Sequence, residues 1–185
     1  MSRYLFLFLL SLGLVSCGRP PAKFATVAAG LQYVSEKDHG FIYDTTVANG
    51  IKVQVQLLPA SLVQKKNDPG IQRYFSIQFS HGGHELLAQL PRDEYGVYVQ
   101  LFSFNMDKYI FLRTDSGKEY SAGMVSYQPT YNMGKSNELL AVFNEDLSPY
   151  KNLRLVIQEF GLHLGQLEFS IDAEKLKYSP NIDQF

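Results

Sequence analysis

The feature that most constrains how this chain folds is a period-two alternation of apolar and polar residues that returns several times along it. Ile51, Val53, Val55 and Leu57 alternate with Lys52, Gln54 and Gln56, and Phe75, Ile77 and Phe79 alternate with Tyr74, Ser76 and Gln78. Late in the chain Leu153, Leu155 and Ile157 alternate with Arg154 and Gln158, and Leu167, Phe169 and Ile171 with Glu168, Ser170 and Asp172. Residues two apart share a face of an extended chain, so each run reads as a strand with one face in a core and the other in water. The pattern therefore directs Val53, Val55, Ile77, Phe79, Leu155, Ile157 and Phe169 inward.

The middle of the chain is apolar in both phases. Val97, Val99 and Leu101 fall on one side of an extended reading and Tyr98, Phe102 and Phe104 on the other, which predicts either a central strand covered on both faces or one that carries an aromatic face to a partner. Lys108 to Thr114, Glu119 to Tyr127 and Glu138 to Phe143 have strand-like content as well. Turn signals separate the runs: Asn49-Gly50, Asn67-Asp68-Pro69-Gly70, Gly82-Gly83, Asp115-Ser116-Gly117 and Leu164-Gly165. Asn49-Gly50 between two alternating runs is the strongest hairpin signal of the set. Ala60 to Lys66 and Asp146 to Tyr150 have room for short helical turns only, too little for crossovers between parallel strands, which excludes a Rossmann-like sheet. The expected fold is all-β, an antiparallel β-sandwich of immunoglobulin-like or transthyretin-like kind with one or two short helical turns.

Composition supports a packed domain. Hydrophobic residues make up 45% and aromatics 14% of the 185 residues, which excludes a disordered chain. A single cysteine, Cys17, rules out an internal disulfide. With 17 basic and 18 acidic residues and no basic patch, the chain carries no electrostatic footprint for nucleic acid.

The N-terminal segment has a different character. Met1-Ser2-Arg3 is a short positive start, Leu5 to Val15 an apolar run of secretory-signal length, and Leu14-Val15-Ser16-Cys17 followed by Gly18 closes it. This stretch resembles the signal peptide and lipobox of bacterial lipoproteins. The resemblance implies that residues 1–16 are cleaved, that Cys17 becomes the N-terminus and carries diacylglycerol on its sulfur with a further acyl chain such as palmitate, and that the domain is held to membrane lipid. Residues 17–30, with Pro20-Pro21 and several alanines, are expected as the lipidated start and linker, and residues 31–185 as one sandwich domain. In Gram-negative lipoproteins an Asp after the cysteine retains the protein at the inner membrane; Gly18 implies the outer membrane if the cell is Gram-negative.

Candidate chemistry is sparse. His81-Gly82-Gly83-His84-Glu85 is the one local cluster of metal-ligand types, although two glycines oppose a helix and a plain glycine turn between strands accounts for it. His39 and His163 are isolated. Asp93-Glu94 and Glu145-Asp146 read as turn residues. No nucleophile elbow, phosphate loop or dinucleotide fingerprint occurs, and no cofactor is expected. Tyr95, Tyr98, Tyr109, Tyr120, Tyr127 and Tyr131 could form a surface platform for sugars or a peptide, or serve as ordinary strand residues. Two readings follow: a membrane-anchored binding or assembly module of the cell envelope with a protein or glycan partner, and a metal-dependent envelope hydrolase using His81 and His84.

Overall fold

The computed structural model describes residues 20–64, 72–147 and 149–183. The expected lipobox with Cys17 and the expected turn at Asn67 to Gly70 lie outside the described residues. In chain order the elements are β1 (Lys23–Phe24), α1 (Val27–Val34), β2 (Ile42–Thr46), β3 (Ile51–Leu58), α2 (Ala60–Val63), β4 (Arg73–His81) and β5 (His84–Glu85). There follow α3 (Arg92–Phe104), β6 (Ile110–Thr114), β7 (Glu119–Ser121), β8 (Met124–Tyr127), β9 (Asn137–Phe143), β10 (Asn152–Ile157), β11 (Leu167–Asp172), α4 (Ala173–Lys177) and β12 (Asn181–Ile182).

Among the described residues the strands form two antiparallel sheets and a short parallel pair. The larger sheet runs β2-β3-β4-β9-β8, with β5 folded back on β4; the smaller runs β11-β10-β6-β7; β1 and β12 pair alone. Inward rows from the two sheets meet in one core: Val53, Val55, Phe75, Ile77, Phe79 and Leu139 from the first, and Ile110, Leu112, Leu155, Ile157 and Phe169 from the second. All seven residues that the alternation directs inward are buried. The pairing Val53↔Phe79 and Val55↔Ile77 is the register that keeps every apolar side chain on the core face. The chain is thus an all-β sandwich.

Between Ser121 and Met124 the chain leaves one sheet for the other. Gly123 makes that step: its N–H donates to Val142 O at 2.8 Å, and a Cβ there would stand 2.3 Å from Asn144 Nδ2. The expected continuous strand from Glu119 to Tyr127 is therefore two strands in two sheets.

Residues 92–104 depart further from expectation. They form α3, not a central strand. Pro91 directly before it and Asp93 and Glu94 in its first turn are helix-start signals. Tyr95, Tyr98, Val99 and Phe102 fall at helical spacing and turn toward the core, with Phe102 fully buried against Phe79, while Val97 and Phe104 remain outside. A run this apolar satisfies both periods, so alternation alone does not separate strand from helix. Helix is accordingly more extensive than one or two short turns, whereas Asp146 and Leu147 lie in irregular chain.

The expected linker also differs. Thr26 caps α1 by accepting from Ala29 N–H at 3.2 Å, and Gly30 lets α1 approach α2 so closely that a Cβ would meet Leu62 Cδ2 at 2.5 Å. Lys23 pairs with Asp183 at 2.6 Å and Tyr178 donates its hydroxyl to Pro21 O at 2.6 Å. Residues 23–30 are part of the domain. This N-terminal assembly sits at the Leu58 end of β3, where Gln56 Nε2 donates to Val34 O and Phe41 packs between Tyr33 and Tyr178.

Candidate functional site

At the other end of β3, the Ile51 end, four connections converge on an open cleft of about 610 Å³. They are the β2–β3 turn, the end of β4 with the segment that follows β5, the first half of α3, and the loop joining β10 to β11. Each is locally determined. Gly50 N–H donates to Val47 O at 2.9 Å and takes φ 84°, which closes the Asn49-Gly50 hairpin that the sequence signals. Gly82 and Gly83 take φ 59° and 81°, the positive pair that a two-residue hairpin requires, and bring His81 opposite His84 on the ladder. The β10–β11 loop is organised by one carboxylate: Glu159 accepts from the N–H groups of Gly161 at 2.7 Å, His163 at 3.0 Å and Gly165 at 2.6 Å. Burial pushes Glu159 upward, but these backbone donors outweigh it and hold the group below the usual glutamate value, so the carboxylate stays ionised.

Side chains tie the four walls together. Asn49 Nδ2 donates to Leu162 O at 3.1 Å, and Tyr98 donates its hydroxyl to Gly161 O at 2.8 Å. His81 Nδ1 pairs with Gln89 Oε1 at 3.1 Å while Gln89 Nε2 returns a bond to His81 O. Ile51, Leu86, Leu90, Val97 and Leu162 supply apolar lining, and Asp93 and Glu94 supply charge; among the described residues no Lys or Arg lines the cleft. Burial, then the charges of Glu94 and Glu159, push the Tyr98 phenol above its ordinary value, so it remains a neutral donor.

The structure brings together His81, Asp93, Glu94, Tyr98 and His163, which the sequence presented as separate candidates. Asp93 and Glu94 are helix residues, not turn residues. His84 is exposed and outside the cleft lining, and among the described residues no three His, Cys, Asp or Glu side chains are placed to hold a metal ion. His39 lies at the far end, stacked on Tyr33 at 3.7 Å with Nδ1 donating to Tyr33 O.

Glu85, the third member of the expected metal-type cluster, is 2% exposed and serves as a scaffold. It accepts from Thr130 Oγ1 at 2.6 Å, Gly134 N–H at 2.7 Å and Asn137 Nδ2 at 3.1 Å, and Asn137 in turn accepts from Leu87 N–H at 2.8 Å. This network pins the 128–136 loop, in which Tyr131 and Asn132 hold left-handed φ of 50° and 67°. The tyrosines do not form one platform: Tyr98 lines the cleft, Tyr127 hydrogen-bonds Asn137, Tyr109 packs on Phe160, and Tyr120 meets Tyr150 in the smaller sheet.

Gln89, Gly161 and Leu162 complete the site without having been singled out beforehand, and Asn49 reads from the sequence only as a turn residue, because Asn49 and Leu162 meet across 113 residues and no local motif announces that contact. No family model and no curated protein sequence matches the chain. Among solved structures it is similar to a novel protein of unknown function from Burkholderia pseudomallei K96243, with 10% identity over 82% of this chain and 91% of that one and a TM-score of 0.43.

Proposed function

We propose that the protein is a lipid-anchored binding module of the bacterial cell envelope, attached through acylated Cys17 and offering the cleft at its opposite end to a protein partner. The observation that carries this reading is the placement of the two ends. The chain enters the domain beside Leu58 and α2, whereas the cleft lies beside Ile51, at the other terminus of the same strand. Eight strand residues at about 3.3 Å each separate those ends by roughly 23–26 Å. A domain tethered at the first end carries the cleft away from the bilayer, toward other envelope components. The cleft side chains bond to each other and to backbone, which supports a preformed recognition surface.

Two measurements on the full chain test this. Cys17→Ser should release the protein from membranes or leave an uncleaved precursor, since two or more acyl chains make attachment stable where one is marginal. A photo-reactive residue at Val97, in the cleft wall, should crosslink to a partner in intact envelopes, whereas one at Ala28, on exposed α1, should not. Membrane fractionation of Cys17→Ser like the parent with a normal N-terminus overturns the anchor, and crosslinking from Ala28 but not Val97 overturns the assignment of the binding end.

A further inference from the structure

We infer that the cleft takes a basic peptide segment, receiving a lysine or arginine side chain whose aliphatic stem lies on the apolar lining and whose cation sits between Asp93 and Glu94. The inference rests on the binding-module reading and specifies its ligand. Three observations converge on it.

The first is charge. Among the residues that line the cleft the formal charges are Asp93 and Glu94, and Glu159 adds a third ionised carboxylate close enough to raise the Tyr98 phenol. The Glu159 oxygens are committed to the backbone of their own loop, which keeps that charge in place rather than making it a ligand. Asp93 and Glu94 are exposed in the first turn of α3, and neither makes an ion pair or a side-chain hydrogen bond among the described residues. A negative mouth of this kind repels anionic lipid and nucleic acid and attracts a cationic group.

The second is the shape of the lining. Leu90 and Val97 present apolar surface in the cleft that holds the two carboxylates, with Ile51, Leu86 and Leu162 buried in the wall behind them. An ion with no stem leaves that surface in water, whereas Lys and Arg combine three or four methylenes with a terminal charge. The volume of about 610 Å³ exceeds one such side chain and accommodates a few residues of peptide around it.

The third is the helix beside the cleft. Val97 and Phe104 are 64% and 78% exposed, two turns apart on α3. A peptide anchored at Asp93 and Glu94 runs on across Val97 toward Phe104, so an apolar residue following the basic one covers surface that is otherwise wet. The molecule also supplies its own contrast. A second groove of about 260 Å³, on the open face of the larger sheet, is lined by Lys52 and Lys135 with Gln54, Gln78, Ser80 and Ser136, and its charges are of the opposite sign.

The test uses the full chain in non-ionic detergent and three fluorescein-labelled, capped peptides that alternate leucine with arginine, glutamine or glutamate. Fluorescence polarisation should show the arginine peptide binding roughly tenfold more tightly than the glutamine peptide, the size of one partly screened charge contact, and the glutamate peptide more weakly than both. Raising salt from about 0.05 to about 0.5 M should erase most of that preference. Asp93→Asn combined with Glu94→Gln should remove it, Val97→Arg should block binding without altering the start of α3, and Lys135→Glu, in the other groove, should leave it unchanged. Equal binding of the arginine and glutamine peptides, or an unaltered arginine preference in the Asp93→Asn, Glu94→Gln variant, overturns the basic-ligand inference while the cleft remains a binding site. Failure of all three peptides, with Val97 still crosslinking in envelopes, overturns it in the same way. Failure of both the peptides and the Val97 crosslink overturns the binding-module reading as well.

Discussion

The two ends of the sandwich are built by different means. At the N-terminal end aromatic packing closes the surface: Phe41 is fully buried among Tyr33, Tyr178 and Lys175, whose ammonium lies 4.7 Å from its ring centroid, and β1 is zipped to β12 beside it. At the cleft end the walls are held apart by hydrogen bonds, with Glu159 gathering one loop, Glu85 another, and Tyr98 and Asn49 bridging across. Packing fills space, whereas a hydrogen-bonded frame can be rigid and still leave a concavity. The difference teaches which end is available for recognition. It also makes the two ends respond differently to substitution.

The largest expected effects are in packing. Phe41→Ala at the closed end and Phe79→Ala in the core should each cost about 3–5 kcal/mol in urea unfolding, against about 0.5 kcal/mol or less for Gln54→Ala on the outer sheet face. If Phe41→Ala is as mild as Gln54→Ala, the closed end is not part of the core and the contrast fails. Next comes the frame. Glu85→Ala should cost about 2–3 kcal/mol, because it leaves the Gly134 N–H and the Asn137 amide without their acceptor, and Glu85→Gln should cost less. A smaller effect is expected from Glu159→Gln and it should depend on pH. The folded-state value of Glu159 is depressed, so its contribution is present above the unfolded glutamate value and is lost as pH falls through the folded one. The parent should therefore lose stability on acidification below the ordinary glutamate range more steeply than the variant; identical acid profiles would show that the loop does not depend on this carboxylate. The smallest effect is Phe104→Ser, within about 0.5 kcal/mol of the parent by the same unfolding assay. A large loss there would mean that α3 is covered by the domain itself.

Much of the fold is legible in the alternation. Val53, Val55, Ile77 and Phe79 alternate with polar residues because one face of the larger sheet is wet, and Leu155, Ile157 and Phe169 face them from the smaller sheet. Residues 92–104 are not legible in the same way: the run from Tyr95 to Phe104 is apolar at most positions, so the distinguishing information lies in Pro91, Asp93 and Glu94, upstream of the pattern. Glu119 to Tyr127 hides a change of sheet behind a single Gly123, whose necessity comes from Asn144, a residue distant in sequence. At the site, His81 is recognisable as a residue to watch, but its partner is Gln89 and not His84, since Gly82 and Gly83 form the hairpin and the first turn beyond β5 returns Gln89 to it. The cleft itself is assembled from segments more than a hundred residues apart and carries no periodicity of its own.

The central claim is that the cleft end faces away from the membrane. The chain contains no tryptophan, so single tryptophans introduced at Ala28 and at Val97 report separately on the two ends. In the full chain, acylated at Cys17 as proposed and reconstituted into vesicles containing dansyl-labelled lipid, energy transfer from each tryptophan to the bilayer surface measures its height directly. The account predicts markedly stronger transfer from Ala28→Trp than from Val97→Trp, consistent with a separation of roughly 23–26 Å along β3. Equal transfer from both, or stronger transfer from Val97→Trp, would contradict it.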